Sequence, residues 1–225
     1  MLLLRITRKY SRLLATFFAF AGTSLFLHPA LATPSACDAV AGNLVANCGF
    51  EGGVYSSTIG GFTNTSVPNG WTPNQAYDQT GFNHVVTTPV NSGGFALQIG
   101  NFDTEPAPTL SQILTDVATA SYSGSIFVNY GGFTTPDSGA FFDLQINGVT
   151  VLALNDTTPN SYVQYNFSFT GTGSDTLTLT GNTNLSEWFV DDVVVTAVPE
   201  PATGLLVMGG VLGLAASRRR AGVSA

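Results

Sequence analysis

The stretch from residue 33 to about residue 197 is built from short runs in which apolar and polar side chains alternate. Leu177 and Leu179, for example, alternate with threonines. A period of two is typical of a β-strand with one face in a core, because successive side chains of a strand point to opposite sides. Similar patterns occur in the runs 95–99, 122–130, 163–169 and 189–195.

The residues between these runs indicate turns rather than helices. Asn147-Gly148 separates two of them, and this dipeptide suits a two-residue hairpin because both positions tolerate positive φ. Four Gly-Gly pairs predict loops or bulges. No helical period of comparable length and no internal repeat occurs in this stretch. Strands about 8 to 14 residues apart, separated by turns, predict an all-β fold: a single antiparallel β-sandwich over residues 33–197.

The first 32 residues differ from this pattern and predict a secretory signal peptide. A basic segment ends at Arg12, an apolar segment follows over residues 13–27, and Ala30-Leu31-Ala32 supplies a small-residue cleavage site. The segment that ends at Cys37 weakly resembles a lipoprotein signal, but Pro34 stands where an aliphatic residue belongs. We therefore expect export, with mature protein beginning near residue 33.

The last 28 residues, 198–225, combine three unlike elements in a fixed order. Pro199-Glu200-Pro201 comes first, an uncharged apolar run fills residues 202–217, and Arg218, Arg219 and Arg220 begin the basic tail 218–225. As a helix the apolar run would be about 24 Å long, a little short of the ~30 Å bilayer core. The arginines would act as a stop-transfer signal and remain in the cytoplasm. A plain membrane anchor is the alternative interpretation.

This C-terminal segment resembles the PEP-CTERM sorting segment of Gram-negative bacteria over its whole length. The resemblance implies that Pro199, Glu200 and Pro201 form the sorting motif for an exosortase, a membrane-bound processing enzyme. It also implies a membrane-anchored precursor and then delivery to the cell surface or extracellular matrix, in bacteria that make exopolysaccharide and biofilm.

Charge is distributed very unevenly along the chain. All seven Lys and Arg residues lie in the two terminal segments, and all fourteen acidic residues lie between Asp38 and Glu200. With fourteen acids and no Lys or Arg, the exported part carries a charge of about −14, against −7 for the whole chain. Such a surface repels nucleic acid and anionic lipid, which both require basic residues. Divalent cations and neutral glycans remain as partners, and stability has to come from burial and backbone pairing.

Cys37 and Cys48 are the only cysteines, and both belong to the part expected outside the cell. An oxidising compartment favours a disulfide between them, which would contribute about 2 to 3 kcal/mol by closing a short loop. Free or lipidated thiols are the alternatives. A single pair of cysteines does not have the spacing of a zinc site.

Two short segments resemble galactose-binding-like jelly rolls, a fold common among carbohydrate-binding modules. They are Asn-Leu-Val-Ala-Asn-Cys-Gly-Phe-Glu at residues 43–51 and Phe-Val-Asp-Asp-Val-Val-Val at residues 189–195. The resemblance implies that these two strands lie together and that Glu51, with Asp191 or Asp192, holds a structural calcium ion. Calcium prefers several oxygen ligands, and alternation directs Asp191 toward the core. A pair of solvated aspartates is the alternative.

The remaining chemistry favours binding over catalysis. The exported part contains one histidine, His84, and no nucleophile elbow, phosphate loop or metalloprotease motif, so we assign no catalytic residue. Trp71 and Tyr77 flank Pro73 and are candidates for stacking on sugar rings, with a role in the core as the alternative.

Together these features predict a non-catalytic structural or adhesive surface protein that associates with exopolysaccharide. The first alternative is a dedicated carbohydrate-binding module with a specific glycan ligand. The second is a hydrolase of matrix polysaccharide, which would need a pair of carboxylates that nothing in the sequence singles out.

Overall fold

The structure, a computed structural model, describes residues 33–79, 82–100, 106–131, 139–155, 161–183 and 186–199. Those residues form two five-stranded antiparallel sheets and a separate two-stranded hairpin. The predicted all-β sandwich is therefore confirmed. The predicted signal peptide, the helix at 202–217 and the basic tail lie outside the described residues.

Twelve strands account for most of the described chain. Their bounds are β1 Val54–Ile59, β2 Phe62–Pro68, β3 Thr72–Pro73, β4 His84–Val86, β5 Ala96–Ile99, β6 Thr109–Leu114, β7 Ser121–Tyr130, β8 Phe141–Ile146, β9 Val149–Asn155, β10 Val163–Thr170, β11 Asp175–Asn182 and β12 Trp188–Ala197. A 3-10 helix at Ala36–Ala39 and a short helix α1 at Gln75–Gln79 are the helical elements among the described residues. No helix there is long and apolar enough to cross a membrane.

The two sheets are built from strands that are distant in sequence. The first has the order β10-β7-β12-β5-β4, and the second has the order β3-β6-β11-β8-β9. The last strand, β12, is thus central in its sheet and pairs antiparallel with both β7 and β5. The hairpin β1-β2 is separate from both sheets.

The core lies between the inward faces of the sheets, as the alternation predicts. Every second residue of β7 from Tyr122 to Tyr130 is buried, and Leu177 and Leu179 of β11 have no exposed surface. The ring of Trp188 lies 4.5 Å from that of Tyr130 and 5.8 Å from that of Phe142, centroid to centroid. Since Phe142 belongs to the second sheet, Trp188 joins the two layers.

The predicted hairpin at Asn147-Gly148 is present between β8 and β9. The φ angles of these residues are 51° and 77°, which is the left-handed pair that a type I′ turn requires. A second turn, Gly60-Gly61, joins β1 to β2 with φ angles of 61° and 88°.

Candidate functional site

The segment Asn43–Cys48, here the N-terminal arm, runs antiparallel along the end of β12. The Leu44 amide donates to the Val195 carbonyl at 2.9 Å, and the Val193 amide donates to the Cys48 carbonyl at 3.0 Å. The Asn43 side chain adds a bond in each direction: its Nδ2 donates to the Val193 carbonyl, and its Oδ1 accepts from the Val195 amide. The structure therefore confirms that residues 43–51 and residues 189–195 lie together, as their resemblance to galactose-binding-like jelly rolls implies.

The disulfide that the sequence predicts links the arm to the 3-10 helix before it. Cys37 and Cys48 are bonded to each other, and their side chains are 1% and 2% exposed. No free cysteine occurs among the described residues. The alternatives of free or lipidated thiols do not apply to this structure.

A β-bulge in β12 places both aspartates of the closing strand inside the protein. The register with β7 shifts between Asp191 and Val194, and Asp192 has a φ of 49°. The exposed fractions of Asp191 and Asp192 are 0% and 2%. Because the bulge interrupts the alternation, Asp192 does not face solvent. The interpretation as a solvated pair is wrong.

Hydrogen-bond donors of the loop before β5 surround these two carboxylates. Oδ2 of Asp191 accepts from the backbone amides of Asn91, at 2.8 Å, and Ser92, at 3.1 Å. The Asp192 carboxylate accepts from the Cys37 amide, the Asn91 side chain and the Ser92 hydroxyl. Burial, with the charge of Asp192 beside it, raises the pKa of Asp191 to about 7, although the Ser92 and Asn91 amides oppose this rise.

Glu51 accepts hydrogen bonds from another part of the loop before β5. Its Oε1 accepts from the backbone amides of Gly94, at 2.6 Å, and Phe95, at 2.9 Å. Gly93 has a φ of 66°, and a Cβ there would lie 2.1 Å from this oxygen, so any other residue would be strained and would displace the Glu51 carboxylate. The other oxygen, Oε2, is buried and has no hydrogen-bond partner.

These three carboxylates do not fit a shared calcium ion. Asp191 and Asp192 already accept bonds from several N–H and O–H groups, whose hydrogens would face a cation. In the described part of the chain, the one cluster of three or more metal-binding side chains is Cys37, Asp38 and Cys48, and its sulfurs form the disulfide. The predicted ligands Glu51, Asp191 and Asp192 do not form one cluster in this structure, and the binding of calcium stays a prediction.

The two aromatic residues predicted to stack on sugars are buried in the core. Trp71 is 1% exposed and Tyr77 is 0% exposed. The Trp71 ring packs 5.7 Å from that of Phe50, and its Nε1 donates to the Asn47 carbonyl. A ring without an exposed face cannot stack on a glycan, so this prediction is corrected in favour of the core alternative.

A second carboxyl pair, which the sequence analysis did not single out, lies at the other end of the strands. Asp116 follows β6 and Asp175 begins β11, and their side chains are 9% and 0% exposed. Asp175 accepts from the amide and hydroxyl of Thr172 and from the side chain of Asn147. Only the register between β11 and β6, which pairs Asp175 with Leu114, brings the aspartates together.

The pKa values of these two aspartates differ. Burial, followed by the hydrogen bond and negative charge of Asp175, raises the pKa of Asp116. Burial alone would raise the pKa of Asp175 too, but the bonds from Asp116, Thr172 and Asn147 outweigh it and lower that pKa to about 2. The pKa values of the two neighbouring carboxyl groups are thus shifted in opposite directions.

An uncharged groove of about 610 Å³ lies between the N-terminal arm and the edge of the second sheet. It opens where β3, only two residues long, stops covering β6. The Gln112 side chain crosses its floor, since it accepts from the Ala46 amide and donates to the carbonyls of Ala46 and Gly70. The groove is lined by Asn43, Leu44, Ala46, Gly70, Thr72, Gln112, Ile113 and Thr115.

Solved structures with a similar β-sandwich include carbohydrate-binding modules. A CBM61 module in complex with β-1,4-galactotriose is 17% identical, with 69% of this chain and 99% of that one covered at a TM-score of 0.48. The CBM22-1 xylan-binding domain of Paenibacillus barcinonensis Xyn10C is 18% identical, with coverages of 60% and 90% and a TM-score of 0.44. A candidate sugar-binding protein of Bacteroides thetaiotaomicron is 10% identical, with coverages of 69% and 100% and a TM-score of 0.48.

The C-terminal segment matches a known sorting signal. Residues 197–220 match the PEP-CTERM protein-sorting motif, which confirms the resemblance drawn from Pro199-Glu200-Pro201. No curated protein sequence matches the chain. The motif indicates an exported, membrane-anchored precursor that is sorted to the cell surface.

Proposed function

We propose that this protein is an exosortase substrate whose β-sandwich is a non-catalytic structural or adhesive component of the exopolysaccharide layer. The observation that carries the proposal is the PEP-CTERM motif at residues 197–220, which begins where β12 ends at Ala197. The sorting signal is thus attached directly to a central strand of the folded domain.

The pairing at the end of β12 supports processing of the folded protein. Ala197 pairs with Tyr122 of β7, and the Val198 amide donates to the Ser121 carbonyl at 2.8 Å. Pro199 follows with an exposed side chain. An enzyme that recognises Pro199-Glu200-Pro201 could therefore act without unpairing the last strand.

The composition and the disulfide support a role outside the cell among neutral polymers. Between Arg12 and Arg218 the chain has no Lys or Arg, which disfavours anionic partners. The buried carboxylates Asp191 and Asp192 bind backbone and side-chain donors of their own domain, and this favours a structural role over acid-base catalysis.

The test of sorting is the intact mass of the protein recovered from the cell surface and from the medium. We expect loss of the first 32 residues and a second cut at or near Pro199-Glu200-Pro201. A variant in which all three motif residues are alanine should keep its C-terminal segment and remain in the membrane fraction. Recovery of wild-type protein with both termini intact would contradict the proposal.

A dedicated carbohydrate-binding function is the second candidate, and the uncharged groove favours it. Its volume of about 610 Å³ lies in the range of ligand sites, and its lining offers hydroxyls and aliphatic side chains without a charge. Saturable binding to a neutral glycan on an array, lost in Thr72→Trp but kept in Thr65→Trp on the separate hairpin, would support this candidate. No saturable binding would favour the structural role.

A further inference from the structure

One end of the sandwich is defined by the departure of β12 and is here called the exit end. It comprises the connections 115–120, 147–148 and 171–174 together with Val198. These connections are bonded to one another or to adjacent strands. The Thr119 amide donates to the Gly171 carbonyl and the Gly171 amide to the Ala120 carbonyl, both at 2.8 Å, and the Asn147 amide donates to the Thr176 carbonyl at 2.9 Å.

Exposed apolar side chains are concentrated at or beside the exit end. Ile113, Val117 and Val149 are 68%, 66% and 66% exposed, the highest values of any large hydrophobic residue in the described ranges. Val198 is 44% exposed, so four of the nine exposed large hydrophobic residues described lie here. Single exposed apolar residues are ordinary, but this concentration on one end is a patch that a partner would cover.

The exit end also presents no exposed charge among its described residues. Its one carboxyl group, that of Asp116, and the adjacent Asp175 are buried, and the chain has no Lys or Arg between Arg12 and Arg218. Any partner for this end therefore needs an apolar surface and not a complementary charge.

The short segment between Val198 and the apolar run limits the distance between the exit end and the membrane. Val198 is the last residue bonded to β7, and the apolar run of the sorting segment begins at Ala202. Four residues span at most about 14 Å when fully extended. In a precursor anchored by that run, the exit end is held within this distance of the bilayer.

We propose that the exit end rests on the lipid bilayer in the membrane-anchored precursor, with Ile113, Val117 and Val149 inserted among the lipid headgroups. This inference rests on the proposed function because it requires the anchor. The acidic remainder of the domain is repelled by anionic lipid, so the same contact orients the sandwich. It also holds Pro199-Glu200-Pro201 at the membrane surface, where a membrane-bound processing enzyme acts.

The test uses the full-length precursor reconstituted into vesicles of phosphatidylethanolamine and phosphatidylglycerol. Since both native cysteines form the disulfide, a single added cysteine can carry the fluorophore NBD. Val117→Cys and Val149→Cys report on the exit end. Val163→Cys is the matched control, because Val163 is an exposed valine (38%) at the far end of β10. We expect headgroup-attached nitroxides to quench positions 117 and 149 several-fold more than position 163, with blue-shifted emission.

The outcomes separate this inference from the proposed function. Equal quenching at 117, 149 and 163 in a precursor that stays with the vesicles after an alkaline wash would overturn the lipid contact alone. A precursor that leaves the vesicles in that wash would overturn both. Protection of position 117 only after an exosortase is added would assign the patch to the enzyme instead of the lipid. Melting curves for each labelled variant, unchanged from wild type, establish that the fold is intact.

Discussion

Two pairs of buried aspartates, Asp191 with Asp192 and Asp116 with Asp175, occur in a domain that has no Lys or Arg to neutralise them. An unpaired buried carboxylate is costly, so each must be protonated or must accept hydrogen bonds. The pair in β12 is held by donors of the loop before β5. In the other pair, the pKa of Asp116 is raised and that of Asp175 is lowered to about 2.

At Asp116 we expect the substitution Asp116→Asn to raise the melting temperature at pH 7. The pKa of Asp116 is raised in the folded protein, so this carboxyl group favours the folded state when it is protonated. The stabilisation is complete below the ordinary pKa of an aspartate and is lost as the pH rises through the pKa that Asp116 has in the folded protein. An asparagine donates to Asp175 without needing a proton. The gain should therefore disappear below about pH 4, where the unfolded chain also binds the proton.

Asp175→Asn is the matched substitution and should act in the opposite direction. The pKa of Asp175 is lowered to about 2, so its contribution is present above the unfolded pKa and is lost as the pH falls toward 2. At pH 7 the amide loses an acceptor for Thr172 or Asn147, at a cost of about 2 kcal/mol. Thermal denaturation at pH 7 and pH 3 checks both variants. Destabilisation by Asp116→Asn at pH 7 would contradict the raised pKa of Asp116.

Calcium should leave the stability of the domain unchanged. The carboxylates of Asp191 and Asp192 accept bonds from their own domain, and Glu51 does not converge on them. A ligand that binds only the native state must raise the melting temperature. We therefore expect the same melting temperature in calcium and in EDTA, and a clear rise with calcium would restore the predicted ligand set.

Among the elements, β12 connects several parts of the fold. It pairs with β7 and β5, accepts the N-terminal arm at its end and carries the bulge that buries Asp192. Its sequence pattern predicts a strand, and the strand is present. The bulge was not predictable from alternation, because it depends on the donors at Asn91 and Ser92, about 100 residues earlier in the chain.

The pairing of β7 with β10 gives a prediction at the scale of the element. Phe167 stands opposite Gly124, and a Cβ at Gly124 would lie 2.2 Å from its ring. We expect Gly124→Ala to lower the free energy of unfolding by about 1 to 3 kcal/mol through overpacking. Ser123→Ala, an exposed neighbour, should change it by less than about 0.5 kcal/mol.

A second substitution distinguishes a steric clash at Gly124 from a general intolerance of β7 to substitution. Phe167→Leu shortens the side chain that faces Gly124. In the Gly124→Ala background it should recover part of the lost stability, whereas in the wild type it should be destabilising. Urea denaturation of the four proteins measures this coupling, and strictly additive effects would contradict the clash.

At the scale of the whole molecule, the domain consists of two sheets held by burial and carries charge of a single sign. The fourteen acids face no Lys or Arg in the exported part, so repulsion among the exposed carboxylates opposes folding. We expect sodium chloride to raise the melting temperature by screening this repulsion. Differential scanning calorimetry at constant pH measures the effect, and a fall with salt would indicate attractive ion pairs.

The strands and turns of the fold were accessible from sequence because their causes are local. Alternation in β7 and β11 reflects one buried face, and Asn147-Gly148 supplies the two left-handed residues of a tight turn. The candidate site was accessible only in part. Trp71 and Tyr77 occur in a segment rich in turn residues, yet their rings enter the core, since burial depends on which distant strands close over them.

The class of fold, the disulfide, the separation of charge and the sorting motif follow from local features of the chain, since each depends on neighbouring residues or on composition. The folded structure is needed to show which carboxyl groups lie side by side, which of them accept backbone amides, and where the uncharged groove and the apolar exit end lie. The physical reason is that these properties arise from strand register and from contacts between segments far apart in the chain, which local patterns do not encode.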